Sequence, residues 1–176
     1  MEKRTLGKTG ERLSVIGFGG IAAMNETTGG VAVTDETSMD VSRYVSEAID
    51  RGINYFDVAP GYGNADERLG PALKPYRQSV FLACKTGERM AKGAREDLHR
   101  SLLRLCTDHV DLYQLHGVTT VEEAEQILGP GGAIEVFLEA KDAGLTRYLG
   151  FSAHSEEAAL LLLDRFPFDS VLLPLN

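Results

Sequence analysis

Short β-rich runs alternate with amphipathic helical stretches along the whole chain, and this alternation restricts the fold more than any other feature. The runs fall at residues 13–19, 53–58, 80–85, 110–115, 148–151 and 171–175. Strands separated by helices cannot pair as hairpins; they lie parallel, joined by right-handed crossovers, and build an α/β sheet. Ahead of them, residues 3–6 and 12–15 flank Gly7-Lys8-Thr9-Gly10, which reads as a small β-hairpin. The spacing is regular and shows no linker, so residues 1–176 are expected to form one domain. Spacing alone leaves open whether the sheet stays open or closes into a barrel.

The helical stretches carry their own punctuation. Residues 23–37 are polar and read as a loop, after which Thr37 with Asp40 resembles a capping box. Val41, Tyr44, Val45, Ala48 and Ile49 then share one helical face, and Gly52 is placed to end it. Further helices are expected at 65–73, at 93–105 with Leu98, Leu102 and Leu105 inward, and at 132–143 closing on Gly144. Ser155 is placed to cap a last one at 156–165.

Composition limits the partners. Lys and Arg total 18 against 26 Asp and Glu, a net charge of −8, which repels nucleic acid and anionic membrane. The longest aliphatic run, 158–163, is far short of a membrane span, and the first residues lack the apolar stretch of a signal peptide. Two cysteines, Cys84 and Cys106, cannot make a disulfide framework, so a cytoplasmic chain is expected. With His99 and His109 they show no zinc spacing. Cys84 alternates away from Lys85 and reads as a core thiol, while His99 lies among Arg95, Arg100 and Arg104 on a solvated face.

In parallel βα proteins, ligands gather at the carboxyl ends of the strands. The residues closing the runs are Asp57, Lys85, His116, Ser152 and Asn176, each one βα unit from the next. A single polar residue there usually marks only where a strand meets water. A carboxylate, an ammonium and an imidazole in series, with Tyr62 on the loop above Asp57, suit a more specific purpose. Together they suit proton delivery to a carbonyl oxygen during reduction. A phenol is a poor acid, with an ordinary pKa of about 10, and a neighbouring ammonium lowers it. None of these side chains can donate a hydride, so a cofactor is required.

The chain resembles the aldo-keto reductase family along its whole length. The resemblance rests on Gly7-Lys8-Thr9-Gly10 leading to Gly17-Phe18-Gly19-Gly20, on Asn54-Tyr55-Phe56-Asp57-Val58-Ala59-Pro60-Gly61-Tyr62-Gly63, and on Ala83-Cys84-Lys85-Thr86. Its strongest stretch runs from Ser101 through Asp108-His109-Val110-Asp111-Leu112-Tyr113-Gln114-Leu115 to His116. The resemblance implies a (β/α)8 TIM-type barrel that binds NADPH or NADH across its carboxyl face and reduces small aldehydes or ketones. It implies that Tyr62 is the general acid, that Lys85 lowers its pKa, that Asp57 pairs with Lys85 near the nicotinamide ribose, and that His116 orients the carbonyl. It also implies that Ser152 holds the nicotinamide carboxamide and that the backbone at Gly20 and Ile21 passes close to the cofactor.

Two departures stand out. Ala153-His154 follows Ser152 where many members have Asn, and Leu172 aligns with a carboxamide-binding Gln, which lowers the expected cofactor affinity. A complete barrel needs about 250 residues, so the sixth run at 171–175 makes this an incomplete barrel of about six strands, expected to self-associate through its open edges. Leu112, Tyr148, Leu172 and Pro174 are then expected to lack partners across the barrel axis. A non-catalytic nucleotide-binding or interaction protein on the same fold is the alternative. Gly17-Phe18-Gly19-Gly20-Ile21-Ala22 mimics a dinucleotide fingerprint, but residues 24–30 make a poor helix to receive a pyrophosphate. Gly150-Phe151-Ser152-Ala153-His154 is only half of a hydrolase elbow.

Overall fold

The computed structural model describes residues 1–24 and 40–174. The hairpin forms as expected: β1 (Lys3–Thr5) pairs antiparallel with β2 (Arg12–Ser14), Lys3 opposite Ser14. The run at 13–19 is not one strand. Ser14 Oγ donates to the Ile16 carbonyl at 2.7 Å and ends β2 in a turn, and β3 is only Phe18–Gly19. Asn54 then stitches the hairpin to the sheet, its side chain accepting from the Ser14 amide at 2.8 Å and donating to the Arg12 carbonyl at 3.0 Å.

The remaining elements alternate. α1 (Val41–Asp50) leads to β4 (Tyr55–Asp57), α2 (Ala65–Leu73) to β5 (Phe81–Thr86), and α3 (Ala91–Arg104) to β6 (Val110–Val118). Two helices, α4 (Val121–Leu128) and α5 (Ala133–Asp142), precede β7 (Thr146–Ala153), and α6 (Glu156–Arg165) precedes β8 (Ser170–Leu172). All six strands from β3 to β8 are parallel and stand in chain order. Successive right-handed crossovers that never reverse put every helix on one face, and the sheet curls as part of a barrel. Among the described residues no pairing joins β3 to β8, so the structure holds six of the eight strands of that architecture.

The helix-facing side carries the main core, including Phe56, Leu82, Cys84, Tyr113, Leu115 and Phe151, all buried. The concave side is closed at its amino end by the hairpin, with Leu13 packing on Phe81, Ala83 and Leu112. This corrects one expectation. Leu112 is fully buried, and Tyr148 stacks on Phe81 at 6.1 Å while its hydroxyl donates to the Thr9 carbonyl at 3.1 Å. Leu172 and Pro174 do remain exposed, beyond the reach of the hairpin.

Local signals hold with adjustments. Ser155 caps α6, accepting from the Ala158 amide, and Gly52 and Gly144 follow α1 and α5 with φ of +88° and +73°. The cap of α1 is Asp40, whose carboxylate accepts from the Arg43 amide; Thr37, like most of the loop at 23–37, lies outside the described residues. α4 has no counterpart in the sequence expectations, although Thr120 caps it and Glu123 stands three positions on. The strand expected at 110–115 runs on to Val118, with a register shift between Leu115 and Val118.

Candidate active site

The carboxyl ends of β4, β5 and β6 bring four of the expected residues together. Lys85, at the end of β5, is buried, and its ammonium is ion-paired with the Asp57 carboxylate on the neighbouring strand. Strand alternation puts Tyr55 on the same face as Asp57, and the Tyr55 hydroxyl donates to Asp57 Oδ2 at 3.3 Å. Burial, followed by the Asp57 charge, holds the Tyr55 phenol well above its ordinary range, so it stays a neutral donor. Asp57 is therefore fixed from two sides.

Tyr62 sits on the loop between β4 and α2, where its ring faces the Lys85 ammonium at 5.4 Å from the centroid. The same ring meets the His116 imidazole edge-on at 5.5 Å. His116 is half-buried, and its pKa is lowered from the ordinary 6.5 first by desolvation and then by the Lys85 charge. The imidazole is accordingly neutral at pH 7, in the form that can hydrogen-bond a substrate oxygen without a net charge.

Three further expected residues occupy defined places. Gly20 opens a 3-10 turn, Gly20–Ala23, that lies against the end of β4. A Cβ at Gly20 would come within 2.7 Å of the Asp57 carbonyl, so only glycine lets the turn approach this closely. Ile21 follows with an exposed side chain. Ser152 Oγ accepts from the Gly117 amide at 2.8 Å and donates to the Leu115 carbonyl at 3.4 Å. One lone pair of that oxygen is left for an external donor. Asn176 lies outside the described residues. Cys84 is fully buried on the helix side with its pKa pushed up to about 12 by burial, the inert core thiol expected.

Two features were missed by sequence reasoning. Arg89 reaches across from the loop after β5 to the carbonyls of His116 and Gly117. Gln114, one inward position below His116, is buried with its Nε2 lacking a hydrogen-bond partner. Alternation from His116 already places Gln114 on the inner face, whereas nothing local marks Arg89. Among the described residues no cluster of His, Cys, Asp or Glu could hold a metal ion.

A model of the aldo/keto reductase family matches residues 15–171. The chain belongs to that family. A Bacillus subtilis protein named aldo-keto reductase YhdN is 38% identical over 172 residues, which cover 89% of this chain and 48% of that protein. L-Galactose dehydrogenase of Arabidopsis thaliana is 31% identical over 178 residues, covering 95% of this chain and 53% of the plant protein. The holo form of aldo-keto reductase AKR11C1 from Bacillus halodurans superposes with a TM-score of 0.81 at 30% identity, covering 98% of this chain and 57% of that one. The chain thus spans about half the length of the curated relatives it matches. Aldo-keto reductases use NAD(P)H. The residues present fit a nicotinamide cofactor: a turn that only glycine lets approach the end of β4, a buried ion pair at the strand ends, and a serine oxygen with a free lone pair.

Proposed function

We propose that the chain carries the active site of an NAD(P)H-dependent oxidoreductase that reduces the carbonyl of a small aldehyde or ketone to an alcohol. The observation that carries this reading is the convergence of Tyr62, His116 and the Lys85–Asp57 pair at one mouth. The Gly20–Ile21 backbone, Asp57 and Ser152 would hold NADPH or NADH, which when bound supplies the hydride. Tyr62 donates its phenolic proton to the carbonyl oxygen. Lys85 stabilises the phenolate left behind, and Asp57 keeps that ammonium in place. His116, neutral, donates a hydrogen bond that orients the oxygen.

Cys84 and Cys106 are both free, which agrees with a reducing compartment, and we place the chain in the cytoplasm. Among the described residues no helix is long and apolar enough to cross a membrane.

The test is NADPH oxidation with an aromatic aldehyde, followed by absorbance. Replacing Tyr62 with Phe keeps the ring and removes the proton, and turnover is expected to fall by about 10²–10⁴. Undiminished turnover in Tyr62→Phe would overturn the assignment. A wild-type chain that binds the nucleotide without turning over would favour the non-catalytic alternative.

A further inference from the structure

His116 owes its position to an irregularity in β6. The register shifts between Leu115 and Val118, and Gly117 sits at φ +61°, a left-handed conformation that a side chain would strain. A bulge of this kind re-aims the side chain beside it, and it needs outside bonds because its carbonyls leave the ladder. Those bonds come from Arg89. Nη1 donates to the His116 carbonyl at 3.0 Å and Nη2 to the Gly117 carbonyl at 3.1 Å, a two-pronged grip that the planar guanidinium suits.

Arg89 is itself held at both ends. Its own carbonyl accepts from the Ala133 amide at 2.9 Å, and the next residue, Met90, pairs with Gly132, so its backbone is fixed to the start of α5. Its Nη2 is also 3.3 Å from Glu123 Oε1 in the first turn of α4. The other oxygen of Glu123 accepts from the amide and hydroxyl of Thr119, at 2.7 and 2.9 Å, closing the loop that leaves β6. On the far side, the Gly117 amide donates to Ser152 on β7. The bulge is therefore gripped from the loop after β5 on one side and from β7 on the other.

We propose that Arg89 is the positioning residue for His116, fixing the His116–Gly117 main chain and so setting where the imidazole meets Tyr62. Glu123 anchors Arg89 in that role. The inference rests on the reading of His116 as the group that orients the substrate carbonyl.

The experiment is a nuclear Overhauser measurement between the ring protons of Tyr62 and His116 in the chain without substrate. The His116 signal is identified by its loss in His116→Gln. Arg89→Gln is expected to weaken this contact at least twofold, with the amide spectrum of the rest of the chain retained. Arg89→Lys, which keeps the charge but lacks the planar two-pronged fork and its reach, is expected to weaken it as well. Glu123→Gln, which leaves the grip and removes its anchor, should show a smaller loss, and it decides the matter if Arg89→Gln fails to fold. In turnover, Arg89→Gln should lower kcat by about ten- to hundredfold with KM little changed, the scale of a misplaced reacting group. An unchanged ring contact in the folded variants overturns the proposal. Failure of the catalytic reading would show separately, as full activity in Tyr62→Phe.

Discussion

The Tyr62 and His116 rings meet with their centroids 5.5 Å apart and their planes at 89°. An edge-on contact of this kind is favourable for aromatic rings and fixes their relative orientation. On the proposed reading a substrate carbonyl accepts from both side chains, so small displacements of either ring are expected to alter turnover more than stability.

The ion pair beneath those rings is expected to govern stability. Lys85 is 2% and Asp57 14% exposed, so removing one partner leaves a nearly buried charge. Lys85→Met should cost about 3 kcal/mol in urea unfolding, the scale for breaking a buried pair. The double change Asp57→Asn with Lys85→Met removes both charges and should recover part of that loss, since Tyr55 can still donate to Asn. A single variant as stable as wild type would show that the pair is not buried in solution.

His116 is expected to give stability a measurable pH slope. It faces Lys85 on β5, Asp57 on β4, Tyr62, Arg89 and His154, and its pKa is lowered from 6.5 by burial and then mainly by Lys85, against the opposing pull of Asp57. The unfolded chain takes up a proton at the ordinary pKa while the folded chain resists it. The stability associated with neutral His116 is thus complete above pH 6.5 and is lost as pH falls below it. Thermal melts should show that slope in wild type and a flatter one in His116→Gln.

Asp66 should behave in the opposite sense. Its side chain is fully buried, its Oδ2 has no hydrogen-bond partner, and Arg104 stands 3.5 Å away. Burial raises its pKa despite Arg104, so the folded state favours the protonated carboxyl and loses stability as pH rises through the folded pKa. Asp66→Asn should melt above wild type at neutral pH, with the gap closing towards about pH 4. A gap independent of pH would trace the effect to packing instead.

Much of this was legible because local chemistry and tertiary role coincide. Asp57, Lys85, His116 and Ser152 each close an apolar run, and Ser155, Gly52 and Gly144 act through their own backbone surroundings. Where the decisive partner is distant in sequence, the sequence was silent. Arg89 acts on carbonyls 27 and 28 residues away, and the hairpin's cover over Leu112 depends on Leu13. α4 differs: Thr120 and Glu123 spell its start, and Ala124 and Ile127 share its buried face, so this short helix was legible in the sequence as well. The bulge at Gly117 hides because one extra residue hardly disturbs an apolar run.

Cofactor affinity is expected to be low for this chain. The family resemblance aligns Ala153 with an Asn of many members, and we take that anchor of the carboxamide as lost. The same resemblance aligns Leu172, which is 51% exposed, with the family's carboxamide-binding Gln. Each lost anchor reduces the surplus left after the ordering cost of binding. Titration of reduced nicotinamide fluorescence should give a Kd above roughly 100 μM. Low-micromolar binding would show that the ligands present suffice.

Self-association is the last expectation, and it follows from the edges of the sheet. β3 and β8 are its outermost strands, two and three residues long, and each has one side without a pairing partner among the described residues. Val171 and Leu172 on β8 are 44% and 51% exposed. Beside them a cavity of about 470 Å³ opens between hairpin and sheet, and Gln114 Nε2 and Ser170 Oγ on its wall lack hydrogen-bond partners. An unpaired edge with apolar residues beside it is a template for another chain. Light scattering should therefore report a mass above the 19.1 kDa of one chain, with a melting temperature that rises with concentration. Leu172→Lys places a charge on the edge and should shift the population towards monomer. A monodisperse 19.1 kDa species whose melt is independent of concentration would show that six strands are sufficient alone.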